Sequence, residues 1–184
     1  AVTPSPVLAA RGAIDPANGF PLWYRDSAGR VLTLCVGDPA LCLFTDPPIP
    51  GNTFSQQIGF GDNAYYWRAR ADINAGGTLA DLELALKAAF ANGPPLDGEQ
   101  IVVGRVRLRA TDLEKQTDYV LTHPFGAETI RTDNNGDIDF DQEVGCILDK
   151  VATIPCDFNL ALGSRVDPFL TAVSPAPPAG FIGN

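Results

Sequence analysis

At 184 residues, with 45% hydrophobic and 19% charged side chains, the chain has the length and composition of one folded domain and is short for two. Its formal net charge of −9 argues against partners that demand a basic face, so no nucleic acid and no anionic membrane surface is expected. The 18 Gly and 16 Pro favour a turn-rich β architecture, and no apolar run reaches the roughly 18 to 20 residues of a transmembrane segment.

Residues 1–19 read as an extended, proline-interrupted arm carrying Val2, Val7, Leu8 and Ile14, too broken for a helix. Residues 20–25 and 31–36 read as two strands joined by a turn at Asp26-Ser27-Ala28-Gly29. Pro47, Pro48 and Pro50 mark an irregular connection. Residues 63–72 predict a strand with Tyr65, Trp67 and Ala69 on one face and Tyr66, Arg68 and Arg70 on the other. A helix is predicted over residues 79–91. Thr78 is its N-cap, Asp81 resembles a capping box, Leu79, Leu82, Leu86 and Phe90 form the stripe, and Asn92-Gly93 is the stop.

The cleanest alternation is at residues 101–110. Val102, Val106, Leu108 and Ala110 share one face, while Arg105, Arg107 and Arg109 share the other. With residues 117–123 this run is expected to form the middle of an antiparallel sheet. Residues 127–132 follow, then an acidic segment in which Ile138 and Phe140 alternate with aspartates. Asp157 is placed to cap a short helical turn through Phe158, Leu160 and Leu162 that stops at Gly163. From Pro168 the chain reads as extended to Phe181 and Ile182. The expected fold is mainly β: an antiparallel β-sandwich-like single domain, residues 20–173, with one packed α-helix and extended arms at residues 1–19 and 174–184.

The four cysteines fall into close pairs, Cys35 with Cys42 and Cys146 with Cys156. Local pairing has the smallest closure cost, and neither pair has zinc-like spacing, so two structural disulfides are expected. They place the protein outside the reducing cytosol. The sequence has no Met and opens Ala1-Val2-Thr3-Pro4, which resembles a signal-peptidase product. A secreted, extracellular or cell-surface location is the expectation.

Each candidate for chemistry has a plainer competitor. Asp133, Asn135, Asp137 and Asp139 offer oxygen ligands at alternate positions around Gly136, the pattern of a Ca²⁺ loop, but Ile138 stands where an EF-hand needs Gly. The competing reading is an Asx-rich turn, and no other cofactor is expected. His123 reads as a structural histidine at a strand end. Asp81, Glu83, Asp97 and Glu99 have no spacing that singles out a glycosidase pair. Trp23, Tyr66 and Trp67 form a candidate sugar platform, against the alternative of core packing. The arginine row is expected to pair with carboxylates.

Four stretches carry a resemblance: Gly19-Phe20-Pro21-Leu22-Trp23-Tyr24-Arg25-Asp26; Ala91-Asn92-Gly93-Pro94 through Val103-Gly104-Arg105; Thr122-His123-Pro124-Phe125-Gly126; and Pro178-Ala179-Gly180-Phe181-Ile182-Gly183. In these the chain resembles a group of uncharacterised secreted bacterial β-rich proteins, which implies export and a β-rich fold and no particular activity. The arm-and-sandwich layout also looks like subunits of donor-strand filaments, an analogy of architecture. The functional expectation is a non-enzymatic subunit that docks an arm on identical subunits to build a pilus-like fibre, with Val2, Val7, Leu8, Ile14, Phe181 and Ile182 at the interface. The alternative is a secreted carbohydrate- or surface-binding module, Ca²⁺-dependent or not.

Overall fold

The computed structural model describes residues 7–148 and 150–183. The strands, in chain order, are β1 (Ala10–Arg11), β2 (Tyr24–Arg25), β3 (Val31–Leu32), β4 (Ala64–Ala75), β5 (Thr78–Phe90), β6 (Gln100–Thr111), β7 (Asp118–His123), β8 (Gly126–Arg131), β9 (Ile138–Gly145), β10 (Ile147–Leu148) and β11 (Val151–Ala152). The helix α1 (Thr53–Ile58) lies between β3 and β4, and a 3₁₀ turn spans Phe158–Gly163. A four-stranded antiparallel sheet, ordered β4-β5-β6-β9, is the main layer. The β1-β2-β3 sheet, the β7-β8 hairpin and the chain from Ala161 to Phe169 pack on its apolar face. The fold is therefore mainly β and sandwich-like.

The largest correction concerns residues 79–91. They form strand β5, paired with β4 on one side and β6 on the other, instead of a helix. Ala80, Leu82, Leu84, Leu86, Ala88 and Phe90 alternate just as well as the helical stripe repeats, so the sequence satisfies both periods. Two long neighbouring strands decide between them. Gly76 and Gly77, with φ of 61° and 92°, make a tight turn directly before Thr78, where the sequence predicts a helix N-cap. The helix that does form is the unpredicted α1, whose Asn52 side chain accepts from Ser55 N and whose C-cap is Gly59 at φ 84°.

β6 has the two faces expected of it, but its partners are β5 and β9, while β7 pairs with β8 in a separate hairpin. Asp157 caps the 3₁₀ turn by accepting from Asn159 N, as the sequence implied. A bulge in β4 between Tyr65 and Trp67 breaks the predicted alternation. It sends both Tyr66 and Trp67 into the core, and leaves Tyr65 and Arg68 on the outer face, the guanidinium 5.2 Å from the tyrosine ring centre. The core itself is aromatic: Phe20 meets Phe60, Phe90 and Phe158, and Trp67 lies between Phe125 and Phe169.

Candidate functional site

Among the described residues β4 has a strand neighbour on one side only. Its beginning is covered on the other, where Asp46 N donates to Asn63 O and Cys35 N to Tyr65 O, each at 2.9 Å. These two bonds fix which way the backbone points. Residues 63 and 65 face outward, the bulge adds one residue, and from there Arg68, Arg70, Asp72 and Asn74 turn their backbone groups outward. Beyond Tyr65, among the described residues, no backbone–backbone hydrogen bond reaches that side. Such an edge is a template for another strand.

Both flanks of this edge are apolar. The Cys35–Cys42 disulfide, with Cα atoms 5.3 Å apart, ties off the loop that carries Leu41, and Leu43 and Phe44 follow directly. Phe44 lies over the Arg68 guanidinium, 4.1 Å from ring centre to carbon. On the opposite flank Trp67 Nε1 donates to Leu170 O at 3.1 Å, and Ala172 N donates to Ile182 O at 2.7 Å. Together they line a groove of about 670 Å³ that takes in residues 65–70 of β4. Much of its apolar lining faces solvent: Leu43 is 66% exposed and Phe44 46%. Contiguous apolar surface of this kind marks a contact site.

The outer face of the sheet is a ladder of charges. Arg68 donates twice to Glu83, at 3.0 and 2.5 Å, and Arg105 binds Asp141 through Nε at 2.9 Å and through Nη2. Arg105 also lies 3.7 Å from Glu83 and from Glu143, and Lys87 lies 3.9 Å from Glu143. Arg107 faces Asp81, and Arg109 pairs with Asp139. The arginine row thus meets carboxylates of its own chain, as its composition suggested. Burial, and next the Arg105 charge, hold the Lys87 pKa below its ordinary value.

The structure treats the other sequence candidates unevenly. Both disulfides form, Cys35 with Cys42 and Cys146 with Cys156. The sugar platform is not a surface: Tyr66 and Trp67 are 4% and 6% exposed, the Tyr66 hydroxyl donates to Pro21 O at 2.5 Å, and Trp23 is half-buried. Burial of the hydroxyl pushes the Tyr66 pKa up. The acidic turn engages its own side chains. Asp133 Oδ1 accepts from Asn135 N and Asp137 N at 2.8 and 2.9 Å, which holds its carboxyl below the usual range, and Asp139 is held by Arg109. Gly136 stands at φ 90°, where an added Cβ would overlap Leu113 O, so the turn itself requires glycine there. Among the described residues no three His, Cys, Asp or Glu side chains gather as a metal site. Asp97 and Glu99 accept from the side-chain amides of Gln100 and Asn92.

The described part of the N-terminal arm is tied to its own domain, whereas residues 174–180 of the C-terminal arm are mostly exposed. Residues 9–15 pair with residues 20–25 as a hairpin, Ile14 bridges Pro21, and Leu8 is 2% exposed with its N–H donating to Leu162 O. Val7 is exposed, Ile182 packs on the core, and Phe181 is half-buried. Val2 lies outside the described residues. Sequence reasoning missed the groove, and one signal for it was present: Leu41, Leu43 and Phe44 are apolar residues in a turn-rich stretch between prolines.

Comparison of the chain with known protein families, with characterised proteins and with solved structures finds no match. Among the described residues no helix is long and apolar enough to cross a membrane.

Proposed function

We propose that this chain is a non-enzymatic structural subunit that works outside the reducing cytosol and assembles with copies of itself by adding a strand to β4. One observation carries the reading: the outward backbone groups of Arg68, Arg70, Asp72 and Asn74 have no backbone partner among the described residues, and they are continuous with an apolar groove that faces solvent. Strand addition uses both features, backbone bonds for affinity and alternate side chains for fit. The two disulfides support an oxidising compartment. The lone histidine supports a non-catalytic role, since His123 is buried with Nδ1 accepting from Phe125 N at 3.3 Å. A pilus-like filament would form where an extended arm of a neighbouring copy supplies that strand.

Light scattering across a concentration series, with electron microscopy of the same samples, tests this. The intact chain is expected at multiples of its single-chain mass. Leu43→Asp puts a charge on an exposed groove residue without touching the core, and is expected to shift the population toward single chains. An intact chain that stays single at every concentration would sink the proposal.

A further inference from the structure

The assembly reading leaves open which strand β4 receives, and the following inference rests on that reading. We propose that it is β4 of a second copy, running antiparallel about a two-fold axis through Ala71, with Arg70 of each copy opposite Asp72 of the other.

The direction of the backbone limits the choices. Arg68, Arg70, Asp72 and Asn74 point outward, so in a self-pairing they must meet one another. The registers that pair at least three of these four residues centre on Arg70, on Ala71 or on Asp72, and only the one through Ala71 pairs all four. Centring on Arg70 sets two guanidinium groups face to face, and centring on Asp72 sets two carboxylates face to face. Like charges directly opposite are destabilising, whereas opposite charges in that position attract. The register through Ala71 places Arg70 against Asp72 twice, once on each side of the axis. It is the self-complementary one, as an isologous contact requires.

The same register matches shape on the apolar face. After the bulge Trp67, Ala69, Ala71 and Ile73 share that face. Ile73 is 56% exposed near the end of the hairpin, and the register sets it against Ala69 of the second copy. Ala69 is small, and it lines the groove beside Leu170 and Ile182. Each copy therefore brings one projecting apolar side chain and one recess. Residues 70–77 are all exposed, so the end that enters the groove is not already packed elsewhere.

The charge order of the outer face also continues through the seam. Asp72 stands directly across from Asp81 in the β4–β5 pairing, and Arg70 touches both, at 2.9 and 2.5 Å. Within one copy these two aspartates share Arg70, with Arg107 3.8 Å from Asp81, and the register brings Arg70 of the second copy beside Asp72 as a further cation. The far edge of the sheet differs. β9 carries Asp139, Asp141 and Glu143 on its outer face, so pairing β9 with itself brings carboxylates together. One receptive edge per copy gives a closed pair with a continuous eight-strand sheet, and a fibre would take a second contact.

Charge reversal tests the register. Arg70→Asp and Asp72→Arg each replace two attractions by two repulsions and are expected to weaken association by about tenfold or more. The double variant R70D/D72R restores the order of charges and is expected to associate like the intact chain. Both positions are exposed, and thermal melts of all four proteins are the control, expected to show an unchanged fold. In a separate variant, Ala71→Cys places two thiols on the axis with Cα atoms about 4.5 Å apart, within disulfide reach. Mild oxidation is expected to give a covalent pair. Association that ignores both single reversals, a double variant that does not recover, or no cross-link at position 71 overturns this register while self-assembly stands. No association of the intact chain overturns both.

Discussion

Asp26 is enclosed in the core, and three groups converge on it. Arg30 N donates to Oδ1 at 2.6 Å, Phe169 N donates to Oδ2 at 3.0 Å, and the Arg30 side chain approaches at 3.4 Å. The buried Asp167 returns the tie by accepting from Ser27 N at 2.7 Å. These two carboxylates fasten the β2–β3 hairpin to the segment that leads into the groove. Asp26→Ala leaves two backbone donors without acceptors and is expected to cost about 2 to 4 kcal/mol, read by urea unfolding. Gly104 is a second such point, because a Cβ there would overlap the Ser164 side chain where the 3₁₀ turn ends against β6. His123 gives the fold a pH dependence. Burial, and then the Arg165 charge, hold its pKa below the ordinary 6.5, with Glu128 acting the other way from 3.9 Å. The unfolded chain takes up a proton below 6.5 that the folded chain refuses, so stability falls as pH drops from there toward the folded pKa. Melting temperature measured between neutrality and pH 5 is expected to decline, and His123→Phe to remove that part of the decline. An unchanged slope in the variant would contradict this assignment. A second loss comes at lower pH from Asp141. Burial raises its pKa, but the hydrogen bond and charge of Arg105 outweigh this and keep it below its usual 3.8, so its contribution is lost as pH falls through the folded value.

Among elements, β5 and β6 show what a sequence discloses and what it withholds. In β6 the arginines alternate with valine, leucine and alanine, and only a strand explains that order. The 3₁₀ turn was readable from Asp157 and Gly163, and the disulfides from spacing. β5 carries leucine, alanine and glutamate, which favour helices, and its hydrophobic pattern fits either period. Neighbours settled what local propensity could not, and the adjacent Gly76-Gly77 was the clue with the right meaning. The bulge in β4 had no local signal, so the burial of both Tyr66 and Trp67 was hidden. The strand assignment has a direct check. Leu84, 3% exposed, lies outside the helical stripe, while Leu79, 51% exposed, belongs to it. Leu84→Ala is expected to cost about 2 to 5 kcal/mol and Leu79→Ala about 0.5 kcal/mol or less. A packed helix with the predicted stripe would give the reverse order.

At the scale of the whole molecule, one layer of the sandwich is continuous and the other is assembled from small sheets, a hairpin and the chain ends. The C-terminal segment does two jobs, closing the core through Phe169 and forming one flank of the groove through Leu170 and Ile182. The loop stapled by Cys35–Cys42 leads into the other flank. Opening that disulfide frees Leu41 and Cys42 from Cys35, and neither cysteine belongs to the aromatic core cluster. The double variant Cys35→Ser/Cys42→Ser is therefore expected to lose association more than it loses fold, seen as a lower average mass with little change in near-ultraviolet dichroism. Loss of the aromatic signal along with the mass would mean that the loop supports the core instead.

The proposed assembly requires the outward side of β4 to be a surface that another strand covers. Amide hydrogen exchange, resolved by residue and repeated over a range of protein concentrations, reads that surface directly. The backbone N–H groups of Arg70 and Asp72 are expected to exchange more slowly as concentration rises, while those of the exposed turn at Ala28 and Gly29 stay fast throughout. If Arg70 and Asp72 exchange rapidly at every concentration, no strand is added there and the proposed assembly is wrong.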